Sequence, residues 1–538
     1  MNGKAEANVL DVLRQVAGRV PERPALILES GAISFGELWD RIGRAAAGLR
    51  RLGLAPGERA IVMVPMSIDL YVAMLALLDL GAVAVFVDPW IGRRQIAAFA
   101  AFAEPRAWIG TGKSQWLRLL DARLRAIPLA VTTGWRLGPW PAPVALADLE
   151  DEAADGTVHP VAPGDPALIT FTSGSSGEPK GANRTHGFLL AQRAALAAEF
   201  PAAEGDVDMP MFPVFALNNL AAGVPSVVPA MDFRRVDRVD GARVLAQMRR
   251  HGVTTCTASP PFFDRLADAV ESRPGDRPDL RRLLTGGAPV SDAQLRIWRR
   301  AFPETEILVA YGSTEAEPVA HLAAEERLAA THPDRPLAPG YCAGPPIASI
   351  RAKIVRIHPG PIELGGESWA GWELPAGEIG ELAVSGDHVC RDYYRNPGAV
   401  RETKIAEPGT GAVWHRMGDT GSLDAEGRFW LTGRVHSTIR RAGGLVHPQL
   451  VEQAACGEDP RIHRAAAVGL PDADLGERVV LVVETEETEI GEEIAHRAAA
   501  AGLPVDDILL TNVPLPVDPR HNSKIDYGRL RERLRKSR

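Results

Sequence analysis

The sequence has few cysteines, no excess of basic residues and no long uninterrupted apolar run. Its 538 residues include four cysteines, and no two of them form a CxxC pair, which argues against zinc ribbons and thioredoxin-like redox chemistry. Widely spaced thiols of this kind are typical of a reduced, cytoplasmic protein. Lysine and arginine number 60 against 68 aspartate and glutamate, a net charge of −8. The chain therefore lacks the basic surface that a nucleic acid or an anionic membrane would require.

Secretion and membrane signals are also missing from the sequence pattern. Residues 1–8 show no basic stretch leading into an apolar one, so we expect no signal peptide. The longest apolar tract, 70–87, is interrupted by Asp79 and Gly81, where the pattern changes from helical to β-branched. This change predicts a buried helix followed by a buried strand at 82–87 rather than a membrane span.

The chain is too long for one hydrophobic core, so its length predicts several domains. Helical and strand patterns alternate through the N-terminal part, which favours parallel sheets covered by helices. One clear unit is a helix at 242–252 followed by a strand at 253–257, because basic residues and a glycine close the helix. Proline and glycine cluster at 336–346 and 359–377, which predicts the turns of an all-β portion that continues into 378–384.

The C-terminal part of the chain has a pattern of its own. Its predicted elements are strands at 465–470 and 479–483, a helix within 488–501 and a basic helix at 527–538. Thr488 is the candidate N-cap of the first of these helices. We place a domain boundary at Gly433–Arg434, which divides the chain into residues 1–433 and 434–538.

The most informative segment is a loop that follows the apolar run 167–169. It combines hydroxyls, glycines and one lysine, namely Thr172, Ser173, Gly174, Ser175, Ser176, Gly177 and Lys180. Glycines let backbone N–H groups approach an anion closely, and successive N–H groups form a concave anion site. The segment therefore predicts a phosphate-binding loop rather than a flexible linker. It is not a Walker A loop, because Gly181 stands where Ser or Thr would hold magnesium.

Two further segments carry residue types that a nucleotide site needs, and each also has a plain structural interpretation. The small residues of 285–289 offer a flat surface for an aromatic base, or simply a turn between a strand and a helix. The segment 310–315 supplies an aromatic ring, two hydroxyls and the carboxylate of Glu315. Such a carboxylate could bind Mg²⁺ together with phosphates, or the segment could cap a helix through Ser313 or Thr314.

Two polar segments nearer the C-terminus complete the set. Asp419 lies in the segment 415–421, where a glycine-flanked turn would suit either ribose hydroxyls or an ordinary Asp-turn. Lys524 stands in the polar loop 516–525, where a solvated lysine is the usual interpretation.

Taken together and in this order, these segments resemble the AMP-forming acyl-adenylate superfamily of acyl-CoA synthetases, luciferases and nonribosomal adenylation domains. The resemblance runs over essentially the whole chain, and the loop 172–180 is its most specific element. It implies an α/β fold with a large N-terminal domain of two α/β subdomains plus a small β-barrel. A small, mobile α+β C-terminal domain would follow, in agreement with the boundary at Gly433–Arg434.

The resemblance implies ATP and Mg²⁺ as cofactors and a role for each quoted residue. The loop 172–180 would hold the β- and γ-phosphates, and His436 would be the hinge of the C-terminal domain. The other implied ATP-binding residues are Gly286, Gly287, Ala288, Pro289, Tyr311, Gly312, Ser313, Asp419 and Arg434. The implied catalytic residues are Thr314 at the α-phosphate, Glu315 at magnesium and Lys524 at the reacting carboxylate. Mg²⁺ and Lys524 would offset the repulsion between the anionic carboxylate and ATP.

Several positions depart from the pattern of most CoA ligases. Ala216 stands where those enzymes carry a histidine, and His436 replaces an acidic or lysine hinge residue. The segment 440–445 lacks the customary lysine-then-arginine arrangement, and Asn522-Ser523-Lys524 replaces Ser-Gly-Lys. These departures argue against a thioester-forming half-reaction.

Similar departures occur in the β-lactone synthetases of olefin biosynthesis, which resemble this chain at 212–217, 226–232 and 516–525. That resemblance implies a small-molecule carboxylic acid as substrate, namely a long-chain 2-alkyl-3-hydroxy acid whose own 3-hydroxyl closes a β-lactone after adenylation. The residues that would line an apolar acyl pocket are Val214, Phe215, Ala216 and Leu217. Other enzymes of the same pathway are candidate partners.

Two alternatives stay open. One is an acyl-CoA or acyl-AMP ligase for a fatty or aryl acid. The other is a nucleotide-binding regulatory protein on an inactive scaffold, against which the joint presence of Lys180, Glu315, Asp419 and Lys524 argues.

Overall fold

The computed structural model describes residues 8–88, 91–134, 144–151, 153–154, 156–173, 179–330, 340–366, 369–457, 459–517 and 524–536. Within these residues the strands form four sheets, of eight, seven, six and five strands. The eight- and seven-stranded sheets are mainly parallel, the six-stranded sheet is antiparallel and the five-stranded sheet is mixed. This arrangement confirms the expected α/β fold class.

The helices range in length from single turns to the 17 residues of α2. A capping box of Ser34 and Glu37 begins α2. In chain order they are α1 Leu10–Arg19, α2 Phe35–Arg51, α3 Ile68–Asp79, α4 Arg93–Ala103, α5 Gly112–Leu119, α6 Ala122–Arg125, α7 Leu146–Leu149, α8 His186–Glu199, α9 Pro213–Ala222, α10 Gly241–Arg250, α11 Pro260–Ser272, α12 Asp292–Ala301, α13 Ala324–Ala330, α14 Pro397–Thr403, α15 Pro448–Cys456, α16 Gly491–Ala500 and α17 Tyr527–Lys536. In the part of the chain that the structure describes, none of these helices has the length and apolar character needed to cross a bilayer.

The strands in chain order are β1 Pro24–Leu28, β2 Gly31–Ser34, β3 Arg59–Met63, β4 Val83–Phe86, β5 Ala107–Thr111, β6 Leu129–Thr133, β7 Val144–Ala145, β8 Pro166–Ser173, β9 Pro179–Thr185, β10 Asp208–Pro210, β11 Ser226–Val227, β12 Thr255–Ala258, β13 Arg282–Thr285, β14 Glu306–Ser313, β15 Ala316–Ala323, β16 Tyr341–Gly344, β17 Arg351–Val355, β18 Gly380–Ser385, β19 Lys404–Ala406, β20 Val413–Leu423, β21 Phe429–Arg434, β22 Ile439–Arg441, β23 Gly444–Val446, β24 Ile462–Asp472, β25 Gly476–Thr485 and β26 Asp507–Thr511.

The seven-stranded sheet has the order β7-β6-β5-β3-β4-β8-β9 and is parallel up to its final β8–β9 hairpin. Both faces are buried, as is usual where helices cover a parallel sheet. Along β3, Ala60 and Val62 belong to one apolar cluster, and Ile61 and Met63 belong to another. The tract 70–87 forms α3 and β4, so the predicted helix and strand are confirmed.

The eight-stranded sheet has the order β15-β14-β13-β12-β10-β11-β1-β2, parallel in its interior and antiparallel at both ends. The predicted helix and strand of 242–257 are its α10 and β12. Asp240 caps α10 by accepting a hydrogen bond from the Arg243 N–H at 3.2 Å. The strand begins at Thr255 rather than at Val253, because Gly252 turns the chain with a φ of 61°.

The β-rich portion, expected as a small barrel, forms an antiparallel six-stranded sheet in the order β16-β21-β20-β18-β17, with β19 paired to β20. Of the predicted turn segments, 336–339 and 367–368 lie outside the described residues. The predicted continuation through 378–384 is largely β18.

The C-terminal five-stranded sheet has the order β23-β22-β25-β24, with β26 parallel to β25. The predicted strands and the basic helix are confirmed as β24, β25 and α17. The predicted N-cap at Thr488 is wrong, because α16 begins at Gly491 after Ile490. Ile490 and Ile494 are both buried in the same apolar cluster, so packing of the apolar stripe sets the helix start.

Candidate active site

The predicted phosphate loop connects β8 to β9, which pair as an antiparallel hairpin. The backbones of Thr172 and Lys180 pair across this hairpin. The central residues of the predicted loop lie outside the described residues, namely Gly174, Ser175, Ser176 and Gly177. A Cβ atom at Gly181 would stand 3.0 Å from Cγ2 of Ile169. Close packing within the hairpin therefore explains why a glycine follows Lys180.

Glu315 lies in the turn between β14 and β15. The Ser313 hydroxyl accepts a hydrogen bond from the Glu315 N–H at 3.2 Å, a local bond that favours a turn over a helix. Nη2 of Arg184, in β9, donates to the Thr314 carbonyl at 2.8 Å, which ties this turn to the phosphate hairpin. The segment is a strand–turn–strand, so the alternative of a helix N-cap at Ser313 or Thr314 is wrong.

The Glu315 side chain is 8% exposed and accepts a hydrogen bond from the Tyr393 hydroxyl at 2.8 Å. Burial opposes ionisation of this carboxyl, but the electrostatic influence of His415 and then of Lys404, together with the Tyr393 hydrogen bond, outweighs it. The pKa of Glu315 therefore lies below its usual range. The side chain is a carboxylate at neutral pH.

The chemistry of Glu315 fits a magnesium ion that is bound jointly with a nucleotide. The residues that the structure describes contain no cluster of three His, Cys, Asp or Glu side chains able to hold a metal by themselves. Mg²⁺ commonly uses one or two carboxylates together with substrate phosphates. One ionised carboxylate tied to the phosphate hairpin is what such a site requires.

Asp419 joins two other predicted residues. Its carboxylate accepts a hydrogen bond from the Tyr311 hydroxyl at 2.6 Å and lies 2.9 Å from Nε of Arg434. Asp419 and Arg434 also pair across β20 and β21. The predicted turn at 415–421 is wrong, because the segment lies within β20 and Gly418, with a φ of 68°, forms a bulge in that strand.

The glycine segment 286–287 lies against the backbone of β14, next to Tyr311. A Cβ atom at Gly286 would stand 2.8 Å from the Ala310 carbonyl oxygen, and Gly287 has a φ of 81°. Both positions therefore require glycine. Ala288 is half-buried and Pro289 is exposed on the way to α12. The segment is the turn between β13 and α12, so the plain structural interpretation is confirmed. Its use as a surface for an aromatic base stays a prediction.

The four residues predicted to line an acyl pocket lie in α9. Val214 and Phe215 are half-buried, Ala216 is fully buried, and Leu217 packs against the same core as Ala216. One face of α9 therefore packs into the core, and Val214 and Phe215 lie on its less buried part. Its role in binding an acyl chain stays a prediction.

The hinge candidate His436 lies in a single 3-10 turn, Val435–Ser437, between β21 and β22. Burial lowers its pKa, and charged groups from both sides act on it: Arg434 and Asp419 of the site, and Arg531 and Asp526 of the C-terminal helix region. Its side chain therefore lies between the candidate site and the C-terminal segment.

Lys524 is half-buried at the edge of the C-terminal unit, where its neighbour Ile525 bridges to Val517. Residues 518–523, with the predicted Asn522 and Ser523, lie outside the described residues. The approach of Lys524 to the other site residues stays a prediction.

Four residues of this site are not predicted from the sequence: Arg184, Tyr393, Lys404 and His415. Tyr393 and Lys404 stand in segments without a glycine-rich or hydroxyl-rich pattern, so their side chains gave no local signal. His415 lay in a quoted segment in which only Asp419 was singled out.

Comparison with protein families matches residues 13–394 to the AMP-binding enzyme family. An olefin β-lactone synthetase of Xanthomonas campestris pv. campestris is 34% identical over 519 residues, covering 93% of this chain and 90% of that protein. The olefin β-lactone synthetase of Stenotrophomonas maltophilia is 35% identical, covering 93% and 90%. A long-chain-fatty-acid–CoA ligase of Mycobacterium tuberculosis is 26% identical, covering 90% of each chain.

Among solved structures, ATP-bound MatB from Rhodopseudomonas palustris superposes with a TM-score of 0.79 at 21% identity, covering 99% of both chains. At this level of identity the likeness concerns the fold. It extends through both the N-terminal sheets and the C-terminal unit.

Proposed function

The chain belongs to the family of AMP-binding enzymes, and from this membership we propose that it converts a long-chain 2-alkyl-3-hydroxy acid to a β-lactone through an acyl-adenylate. It is an AMP-forming ligase that uses ATP and Mg²⁺. The observation that carries the finer proposal is the 34% and 35% identity to two olefin β-lactone synthetases over 93% of the chain. Association with enzymes that supply the acid or consume the lactone belongs to the same proposal.

In the first step, a carboxylate oxygen of the acid attacks the α-phosphorus of ATP and pyrophosphate leaves. The reacting groups are both anionic, so positive charge at the site lowers the barrier. Lys180 would supply such charge from the phosphate hairpin and Lys524 from the C-terminal unit. Mg²⁺ held by Glu315 would neutralise phosphate charge.

Tyr311, Asp419 and Arg434 would bind the nucleoside. Gly286 packs against the backbone of Ala310, the residue before Tyr311, and the Tyr311 hydroxyl is fixed by Asp419. A carboxylate has about four lone-pair positions, so Asp419 can accept from ribose hydroxyls while it keeps Tyr311 and Arg434. These existing contacts hold the side chains in place before the nucleotide arrives.

In the second step, the 3-hydroxyl oxygen of the bound acyl group attacks the acyl carbon. The bond from that carbon to AMP breaks, AMP leaves, and the hydroxyl proton passes to solvent. Attack within one molecule gains from proximity and needs no second substrate. The half-buried face of α9 would contact the alkyl chains.

The second candidate function is an acyl-CoA ligase. It is favoured by the 26% identity to a long-chain-fatty-acid–CoA ligase over 90% of each chain. Ala216 and the segment 440–445 argue against it, because they depart from the pattern of CoA ligases. Membership in a family of enzymes makes the regulatory-protein alternative the weakest of the three.

Mass spectrometry of the products separates these functions. With a 2-alkyl-3-hydroxy acid, ATP and Mg²⁺, we expect AMP, pyrophosphate and a product lighter than the acid by one water. CoA should neither accelerate the reaction nor enter the product. The matched 2-alkyl acid without the 3-hydroxyl should be adenylated but should turn over little. A CoA thioester formed from a plain fatty acid would overturn the lactone proposal.

A further inference from the structure

Lys404 is a buried lysine that the proposed reaction does not use. It is the first residue of β19, is 7% exposed, and pairs through its backbone with His415 of β20. Its Nζ donates to the Cys390 carbonyl at 2.5 Å and lies 4.9 Å from the centroid of the Tyr393 ring. Burying such an amine is costly unless hydrogen bonds and nearby opposite charge or a ring face compensate it.

Both residues that Lys404 contacts also hold Glu315. The Tyr393 hydroxyl donates to Oε1 of Glu315 at 2.8 Å, and the Cys390 N–H donates to the Glu315 carbonyl at 2.7 Å. One contact fixes the side chain and the other fixes the backbone. Lys404 therefore contacts the two residues that hold Glu315, the predicted magnesium ligand, in place.

The same segment also holds the phosphate hairpin. The Tyr394 N–H donates to the Gly181 carbonyl at 2.8 Å, and Tyr393 forms a β-bridge with Ala182. The segment 390–394 therefore contacts β9 on one side and Glu315 on the other. It sets the distance between the two parts of the site that bind phosphates and metal.

We propose that Lys404 is a positioning residue that locks segment 390–394, so that Glu315 and the phosphate hairpin keep the spacing that magnesium-bound ATP requires. The inference rests on the proposed role of Glu315. Lys404 acts through Tyr393 and the Cys390 carbonyl, not by touching a substrate.

The hydrogen bond from Lys404 is what an apolar side chain cannot replace. Burial lowers the pKa of the Lys404 amine, but its Nζ can donate to the Cys390 carbonyl with or without the extra proton. An apolar side chain of similar length could fill the space but would leave that carbonyl without this donor.

Lys404→Met tests the proposal, with Lys353→Met as the matched control. Lys353 also lies over aromatic rings, 5.2 Å from the centroid of Trp369, but it pairs with Glu373 away from the site. Pyrophosphate release is measured across a magnesium titration, because this step is common to the lactone and thioester reactions. Second-sphere partners of a metal ligand usually change affinity or activity about 10–100-fold.

We expect Lys404→Met to raise the half-saturating magnesium concentration at least about tenfold and to leave the KM of the acid unchanged. The melting temperature with ATP in EDTA should rise as in the wild type, but the further rise should need a correspondingly higher Mg²⁺ concentration. Lys353→Met should keep the wild-type rises in melting temperature, both with ATP and on adding Mg²⁺. A Lys404→Met enzyme with the magnesium response of the wild type would overturn the proposal.

Tyr393→Phe removes a single hydroxyl and gives a second test if Lys404→Met does not fold. Its magnesium requirement should rise, and the double variant should be no worse than the poorer single variant, because the two residues act in one chain of contacts. Fully additive effects, or an unchanged response of Tyr393→Phe, would refute the chain of contacts. Glu315→Gln distinguishes failure of the Lys404 proposal from failure of the proposed Glu315 role. If the magnesium response of Glu315→Gln is normal, the assignment of Glu315 itself is wrong.

Discussion

Glu315 and Asp419 are both buried carboxylates, yet their surroundings suit different ligands. Asp419 lies between the Tyr311 hydroxyl and the Arg434 guanidinium, so its oxygens are oriented by strong donors. Glu315 accepts the Tyr393 hydroxyl on one oxygen and retains capacity on the carboxylate for a cation. Residue identity alone does not distinguish these two roles, but the donors around each carboxylate do.

Lys524→Ala is predicted to damage catalysis and to spare the fold. Lys524 is half-buried in a polar segment, and substitutions of this kind usually change stability by within about 0.5 kcal/mol. Loss of one positioned cation should slow pyrophosphate release about a hundred- to a thousandfold. Lys536→Ala, at the exposed end of α17, is the control. Near-normal release by Lys524→Ala would show that the lysine has no part in adenylation.

At the scale of elements, one carboxyl joins α15 and α17 to the C-terminal sheet. Glu452 of α15 accepts hydrogen bonds from the Ala467 N–H of β24 at 2.9 Å and from the Tyr527 hydroxyl of α17 at 2.8 Å. Burial raises the pKa of Glu452 to about 7, against the lowering effect of those two hydrogen bonds. The packing of the two helices therefore depends on a carboxyl that prefers to be protonated.

This arrangement predicts a pH-dependent stability. The folded chain keeps a proton on Glu452 that the unfolded chain loses above about pH 4.3. The resulting stabilisation is complete below that pH and is lost as the pH rises through about 7. The pKa difference taken at face value would give a larger stabilisation. Because solvent reaches part of Glu452, the stabilisation is about 2 kcal/mol.

Glu452→Gln keeps the acceptor oxygen and cannot ionise, so its melting temperature should fall less than that of the wild type between about pH 5 and about pH 8. Glu486→Gln, an exposed position of the same unit, should reproduce the wild-type profile. Parallel profiles for Glu452→Gln and the wild type would contradict the role given to this carboxyl.

At the scale of the whole molecule, the C-terminal unit adjoins the six-stranded sheet through the 3-10 turn 435–437. Ser437 Oγ and the Thr438 N–H both donate to the Arg434 carbonyl, at 3.0 and 3.1 Å. His436 lies between the charged groups of the site and those of the C-terminal unit. We propose that rotation about this turn brings Lys524 to the site, with the two domains divided at 433/434.

His436→Pro is predicted to restrict that rotation, because proline fixes its own φ and limits the preceding residue. Pyrophosphate release and product formation should then diverge, with one stage slowed and the other nearly normal. His436→Ala, which removes the ring and leaves the backbone free, is the control. If proline changes neither stage, the hinge lies elsewhere.

The sequence by itself determined the local features of this protein. Apolar periodicity gave the helix and strand of 70–87, the order of the polar segments indicated the family, and Gly181 excluded a Walker A loop. The first and last of these features depend on near neighbours in the chain, and the family depends only on the order in which short segments occur. Element boundaries were less secure: Ile490, not Thr488, precedes α16, because burial in the C-terminal core outweighs the preference of threonine for an N-cap.

The tertiary structure alone decided which groups surround each carboxylate. Tyr393 reaches Glu315 across 78 positions of sequence, and Tyr311 reaches Asp419 across 108. Lys404 had no local signal, because its partners come from other strands and from the segment before α14. Contacts of this kind follow from sheet order and register, which depend on the packing of the whole chain and which no local pattern of residues specifies.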